Sequence, residues 1–270
     1  MSTTRAPADS RPKDPARPTR KVRLRIRRQD GPGKPARWEE FDVPVPPGAN
    51  VISCLQWICA NPRTVQGQST QPPVWDAGCL EEVCGACTMV INGKVRQSCS
   101  CLIDEYAPND GDVITLEPMS KFPIVRDLWV DRSRMFSELK RIKAWVPIDG
   151  TWDLGPGPRA TPENQNMRYR ISECMTCGCC LEACPQYLEE NNFVGANAIA
   201  QVRLFNEHET GAALKGDRLD ALMGHGGIND CGNAQNCVKV CPKHIPLTEA
   251  IAAIGRAVTI HSIKRFFTGR

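Results

Sequence analysis

Cys174-Met175-Thr176-Cys177-Gly178-Cys179-Cys180-Leu181-Glu182-Ala183-Cys184-Pro185 is the stretch on which the fold turns. With Cys179 set aside, its spacing is C-x₂-C-x₂-C-x₃-C-P. A second stretch repeats it 57 residues later, since Cys174, Cys180, Cys184 and Pro185 become Cys231, Cys237, Cys241 and Pro242. The remaining member breaks the repeat, because Cys177 becomes Ala234. Around the two runs lie stretches with helical patterning, at Val194–Phe205, Lys215–Met223 and Leu247–Phe267. The second half of the chain therefore reads as a mostly α domain built on an internal repeat.

The complete run is the one by which bacterial ferredoxins hold a [4Fe–4S] cluster, and in two-cluster forms the last cysteine of each run ligates the other cluster. Cys174, Cys177 and Cys180 should then join Cys241 around one [4Fe–4S] cluster. Cys231 and Cys237 should join Cys184. That second set has three thiolates, and Ala234 supplies no fourth. An iron without a protein ligand is easily lost, which leaves [3Fe–4S]. Zinc is the bland alternative, but it prefers closed sets of four ligands from neighbouring knuckles. Neither the Cys-Pro after each run nor the interleaved repeat is needed for zinc.

Upstream, Cys79, Cys84 and Cys87 follow C-x₄-C-x₂-C, the plant-type [2Fe–2S] spacing. Gly85 lets the backbone approach the inorganic sulfides. Backbone N–H groups there can donate to sulfur and tune the potential. The fourth ligand, Cys99, returns beyond a hairpin whose turn is Asn92-Gly93, a strong signal between two apolar runs. Cys101 is its rival. The host reads as a small mixed sheet on one helix. Val22, Leu24 and Ile26 alternate with arginines as a half-buried strand. Trp38, Phe41, Val43 and Val45 continue as a second. Asn50 caps a helix carrying Val51, Ile52, Leu55, Ile58 and Cys59, and Pro62 ends it. Val113, Thr115 and Leu116 give a later strand. Leu128, Met135, Leu139, Ile142 and Val146 allow one helix, followed by a Gly/Pro-rich link from Pro147 to Pro162.

The chain has 270 residues, enough for two domains, with 41% hydrophobic and 24% charged residues. That excludes wholesale disorder. Lys+Arg exceed Asp+Glu by 34 − 30 = 4, too few to argue for nucleic acid. No apolar stretch approaches the ~18 residues of a membrane span. The first 20 residues read as a disordered basic arm without a secretory signal. A reducing compartment is expected, where disulfides are rare. The 15 cysteines then read as metal ligands, with Cys54, Cys59, Cys101 and Cys179 left over.

These motifs resemble the iron–sulfur subunit family of succinate dehydrogenase and fumarate reductase (complex II) over roughly residues 20–265. The segment from Cys174 to Gly211 looks most like its menaquinone-linked bacterial type. The family spacing selects Cys99 over Cys101. The resemblance implies an α+β fold. An N-terminal β-grasp [2Fe–2S] ferredoxin-like domain would span 21–130, and a C-terminal α-helical bacterial-ferredoxin-like domain 131–270. It further implies a flavoprotein subunit with FAD that oxidises succinate. Electrons would pass through [2Fe–2S], [4Fe–4S] and [3Fe–4S] to menaquinone beside one or more membrane-anchor subunits. The chain would be peripheral, at the cytoplasmic face of the inner (plasma) membrane, and would carry no substrate chemistry itself.

Two departures stand out. Many members have Arg after the first ligand and Gly two positions later, where this chain has Leu80 and Glu82. Ubiquinone-linked members place two Trp where Leu188 and Glu189 stand, and His where Gly232 stands. The usual ubiquinone pocket is thus not assembled from this chain, and the quinone-binding residues are left unassigned. The C-terminal helix, with Ile251, Ile254, Val258, Ile260 and basic ends, reads either as packed on its own domain or as lying near anionic lipid. Three alternatives compete. Fumarate reductase uses the same ligands. Soluble flavoenzymes with two complete runs are disfavoured by Ala234. A zinc scaffold would bind nucleic acid through the basic arm.

Overall fold

The computed structural model describes residues 20–147 and 159–268. The basic arm and most of the Gly/Pro-rich link fall outside the described residues. Strand β1 (Arg20–Arg28) pairs antiparallel with β2 (Arg37–Val45), and helix α1 (Val51–Ala60) follows. Strands β3 (Thr88–Ile91) and β4 (Lys94–Gln97) form a hairpin, succeeded by a single turn α2 (Ile103–Tyr106) and strand β5 (Val113–Glu117). The sheet order is β2-β1-β5-β3-β4, with β1 and β5 parallel and the other pairs antiparallel.

Period-two alternation sets which residues turn inward. Val22, Leu24 and Ile26 are fully buried, as are Phe41, Ile114 and Leu116. Trp38 lies in β2 as expected. Its number has the opposite parity from Phe41, Val43 and Val45, so it lies on the outer face, 42% exposed, under the Arg25 guanidinium. Helix α1 starts where Asn50 Oδ1 accepts from Ser53 N at 2.9 Å, and it buries Val51, Ile52, Cys54, Leu55 and Ile58 in the core beneath the sheet. The Asn92-Gly93 turn has φ of 49° and 73°, the doubly left-handed geometry that matches strand twist.

The helix expected from Leu128 to Val146 is shorter. A hairpin of β6 (Ile124–Arg126) and β7 (Trp129–Val130) precedes α3 (Ser133–Arg141). Leu128 belongs to the sheet's core instead. The reason is Asp127, which turns the hairpin at φ 49°. Its carboxylate lies 3.0 Å from Arg28 Nε, both side chains being fully buried. It also accepts from Gln29 N and Val74 N, each at 3.0 Å. Removing one partner from such a pair typically costs about 3–5 kcal/mol.

The second unit is helical: α4 (Pro162–Ser172), α5 (Cys179–Glu182), α6 (Gly195–Glu207), α7 (Lys215–Met223), α8 (Asn236–Lys239) and α9 (Leu247–Thr268). Helix α6 is central, with Ala198, Ile199 and Val202 fully buried or nearly so, and it packs on α4 and α9. Arg218 of α7 is fully buried. Its guanidinium donates to the carbonyls of Lys143, Trp145 and Gly211 and to Asn206 Oδ1, so its buried N–H groups find neutral acceptors inside the fold. Met119, Phe122, Val130 and Met135 belong to this second core, so the connection from the first unit is woven into the helices. The first half of α9 buries Leu247, Ala250, Ile254 and Val258, whereas Ile263, Phe266 and Phe267 beyond it are exposed. Among the described residues, no helix is long and apolar enough to cross a membrane.

Candidate functional site

The loop between α1 and β3 gathers the first cysteines by turning sharply. Leu80 and Glu82 sit at φ 62° and 54°, left-handed positions that a Cβ makes unfavourable. These turns aim backbone N–H groups at sulfur. Cys79 Sγ accepts from Glu81, Val83 and Cys84 at 3.2–3.4 Å. Cys84 Sγ accepts from Cys79 N and Ala86 N, and Cys99 Sγ from Glu82 N at 3.3 Å. The three donors pull the Cys79 thiol down to about 7. Burial pushes Cys87, which faces Cys99, up to about 12. Converging N–H dipoles with two buried and two more exposed thiols suit an anionic iron–sulfide group. Cys101 points elsewhere, beside Cys54 and Arg96 in the sheet's core.

In the helical unit the interleaving has a geometric counterpart. One cavity is lined by Cys174, Cys177, Cys180 and Cys241 together with Cys179, with the buried Asn197 on its wall. A second is lined by Cys184, Cys231 and Cys237, and Ala234 lies on it where a fourth thiol would stand. Burial drives the Cys180 thiol well above its ordinary value, reinforced by Cys177, Cys174 and Cys241 nearby. Burial likewise raises Cys237, next to Cys184 and Cys231. Buried thiols disposed around voids, several of them penalised as free thiolates, are what a cluster that neutralises them would relieve. Among the described residues, no group of three or more His, Cys, Asp or Glu is arranged to hold a single metal ion.

The loops also touch each other. A Cβ built on Gly85 would lie 2.6 Å from Cys177 Cα and 3.0 Å from Met175 O, so only glycine permits this approach. Arg132 Nη1 donates to Gly85 O at 2.8 Å. The Glu182 carboxylate accepts from Ser120 N, Ser120 Oγ and Lys121 N, tying α5 to the connecting segment. Sequence reasoning named Gly85 for its closeness to sulfide; its closeness to Cys177 had no local signal. Arg132, Gln97 and the buried Arg28–Asp127 pair were missed for the same reason.

The family described as "2Fe-2S iron-sulfur cluster binding domain" matches residues 23–137, and "4Fe-4S dicluster domain" matches 170–245. The chain is 54% identical over 246 residues to the succinate dehydrogenase iron-sulfur subunit of Bacillus subtilis, covering 91% of this chain and 96% of that one. It is 30% identical over 184 residues to the fumarate reductase iron-sulfur subunit of Wolinella succinogenes, covering 67% and 76%. A chain of the solved Mycobacterium smegmatis Sdh1 complex in the apo form shares the fold, with TM-score 0.72 at 23% identity over 89% of this chain and 96% of that one. The much higher identity to the dehydrogenase subunit disfavours the fumarate reductase alternative. The chain belongs to the succinate dehydrogenase iron–sulfur subunits, the electron-carrying component of that oxidoreductase, with 2Fe–2S and 4Fe–4S ferredoxin-like domains.

Proposed function

We propose that this chain conducts electrons from FAD on a flavoprotein subunit to menaquinone beside membrane-anchor subunits, in the direction of succinate oxidation. The observation that carries the reading is the pair of cavities in the helical unit, one with the four expected ligands and Cys179 on its wall and one with three cysteines and Ala234. Clusters bound at the cysteine loops would supply one-electron redox steps.

Residues 21–130 would hold [2Fe–2S] through Cys79, Cys84, Cys87 and Cys99. Residues 131–270 would hold [4Fe–4S] through Cys174, Cys177, Cys180 and Cys241, and [3Fe–4S] through Cys184, Cys231 and Cys237. The N–H groups of residues 81–84 and 86 are pre-aimed at sulfur, so little reorganisation accompanies a change of charge there. The walls of the first cavity keep water away from Cys177 and Cys180, each 9% exposed. Ala234 is exposed and offers no ligand, which supports an iron-deficient third site facing outward. That exposed loop is the natural approach for quinone. The helical unit would accordingly face the anchors at the cytoplasmic side of the membrane.

An EPR spectrum of the air-oxidised complex tests this. Oxidised [2Fe–2S] and [4Fe–4S] centres are silent, whereas oxidised [3Fe–4S] is paramagnetic, so a near-stoichiometric signal is expected. The Ala234→Cys variant should lose that signal and gain a [4Fe–4S] centre. An unchanged signal in that variant would sink the ligand assignment.

A further inference from the structure

Helix α9 passes the two cysteine cavities in turn and then runs on beyond them. Leu247, in its first turn, lines the first cavity, and Thr248 and Ile251 line the second. Further along, α9 meets α7 in an open groove of about 470 Å³. Leu219, Ala257 and Ile260 give this groove apolar walls, and Lys215, His261 and Lys264 give it basic ones. The acids of α7 are already engaged. Asp217 pairs with Lys143, and Asp220 with His261 at 2.9 Å and with Arg265 at 2.6 Å. Among the described residues, neither Lys215 nor Lys264 has a carboxylate partner. Two uncommitted ammonium groups on an apolar groove complement a ligand with an anionic head and a hydrocarbon body.

Beyond the groove the helix end stays apolar. Ile260, Ile263 and Phe267 follow the i, i+3, i+7 spacing of one helix face, with Lys264 at i+4 beside them. Phe266 and Phe267 are 83% and 80% exposed, their rings edge to face at 5.4 Å. Large side chains grouped in water mark a contact surface. Charge says what it contacts. After Glu249 the helix carries no acid, but it carries Arg256, Lys264 and Arg265. Exposed aromatics among cations are the pattern of a helix that lies in the interface of an anionic bilayer. The direction agrees, because α9 reaches this end after the first cavity and then the second, the order in which the proposed electron route approaches the membrane.

We propose that the groove between α7 and α9 binds anionic phospholipid: Lys215 and Lys264 hold the headgroup phosphate, Leu219, Ala257 and Ile260 take the upper acyl chain, and Phe266 and Phe267 enter the bilayer interface. The proposal rests on the helical unit facing the membrane, as given above. The cluster ligands play no part in it. Vesicle binding is read without electron transfer, so the proposal can fail while the EPR assignment stands.

The test is co-sedimentation of the full chain, clusters in place, with vesicles of phosphatidylglycerol in phosphatidylcholine and with vesicles of phosphatidylcholine alone. Binding to the first should far exceed binding to the second, and equal binding to both overturns the proposal. Lys215→Gln combined with Lys264→Gln should weaken binding to the anionic vesicles about fivefold for each lysine removed. Phe266→Ser combined with Phe267→Ser should weaken it about tenfold. These positions are exposed, so thermal midpoints should stay at the wild-type value. Unchanged affinity in the lysine pair overturns the proposal and assigns the binding to other basic residues. Release of the chain from vesicles by millimolar inorganic phosphate, at fixed ionic strength, would mark a free-anion site and overturn the lipid assignment. Loss of the anchor subunits from the detergent-extracted complex of either variant would make this face a protein contact and overturn it as well.

Discussion

Between the loop Cys174–Pro185 and the loop Cys231–Pro242, the backbone repeats closely. Thr176 and Asn233 take φ of 51° and 50°, and Gly178 and Gln235 take 88° and 60°. A four-residue helix follows each, Cys179–Glu182 and Asn236–Lys239. The surroundings differ. Cys177 through Leu181 are all buried, with Phe122, Met119 and Gly85 packed over them. Gly232 through Asn236 are all exposed. The same turn is thus roofed by Gly85 of the first cluster loop and by the connecting segment in one copy and open in the other. The cover coincides with the complete set of cysteines, and the opening with Ala234. A covered loop demands residues that fit under the roof, such as Gly178, where a Cβ would meet Phe122 at 3.3 Å. An open loop tolerates Gln235 in the same left-handed turn. Closeness to a neighbour, more than ligand chemistry, explains why the copies have diverged at this position.

Removing the roof is the strongest way to break this contrast. Gly85→Ala should place a methyl group against the Cys177 backbone while holding a strained φ of 68°. Overpacking of this kind costs about 1–3 kcal/mol, and the left-handed turn adds about 1–2 kcal/mol more. Thermal unfolding should show a large drop in midpoint, with iron lost from the first two sites. A wild-type midpoint would mean that the units do not dock as described.

Making the covered loop resemble the open one comes next. Cys177→Ala should give the four-cysteine site the ligand count of the other and so a second oxidised-state [3Fe–4S] signal by EPR. Unchanged spin intensity with intact iron would place the fourth ligand elsewhere. The smallest effect sharpens the contrast from the other side. Gln235→Gly should stabilise the chain by about 1 kcal/mol, by relieving a left-handed residue that nothing roofs. The reverse change, Gly178→Ala, should destabilise it. Denaturant midpoints of the two variants check the pair, and shifts of the same sign would refute the argument.

Much of the fold is local and was readable as such. The alternation of Val22, Leu24 and Ile26, the Asn50 cap, the Asn92-Gly93 turn and the bounds of Lys215–Met223 each rest on neighbouring residues. The helix expected across Leu128 failed because its apolar spacing ignored Asp127. That residue's partner, Arg28, lies 99 residues earlier and is invisible to a window of sequence. In the candidate sites, the cysteine spacings, the family resemblance and the break in the repeat at Ala234 were available from the chain alone. The Gly85–Cys177 contact, the hydrogen bond from Gln97 Nε2 to Cys179 Sγ at 3.3 Å and the clamp by Arg132 were not.

What the sequence determined by itself was composition, element type and the spacing of the cysteine runs, since propensity, capping and motif spacing act over a few residues. Tertiary structure alone decided which cysteine loop is covered, which leftover thiol meets the first unit, and how closely the first loop approaches the second. Those outcomes depend on van der Waals contact and buried hydrogen bonds between segments up to 92 positions apart, as Gly85 and Cys177 are, and such contacts form only once two cores have packed.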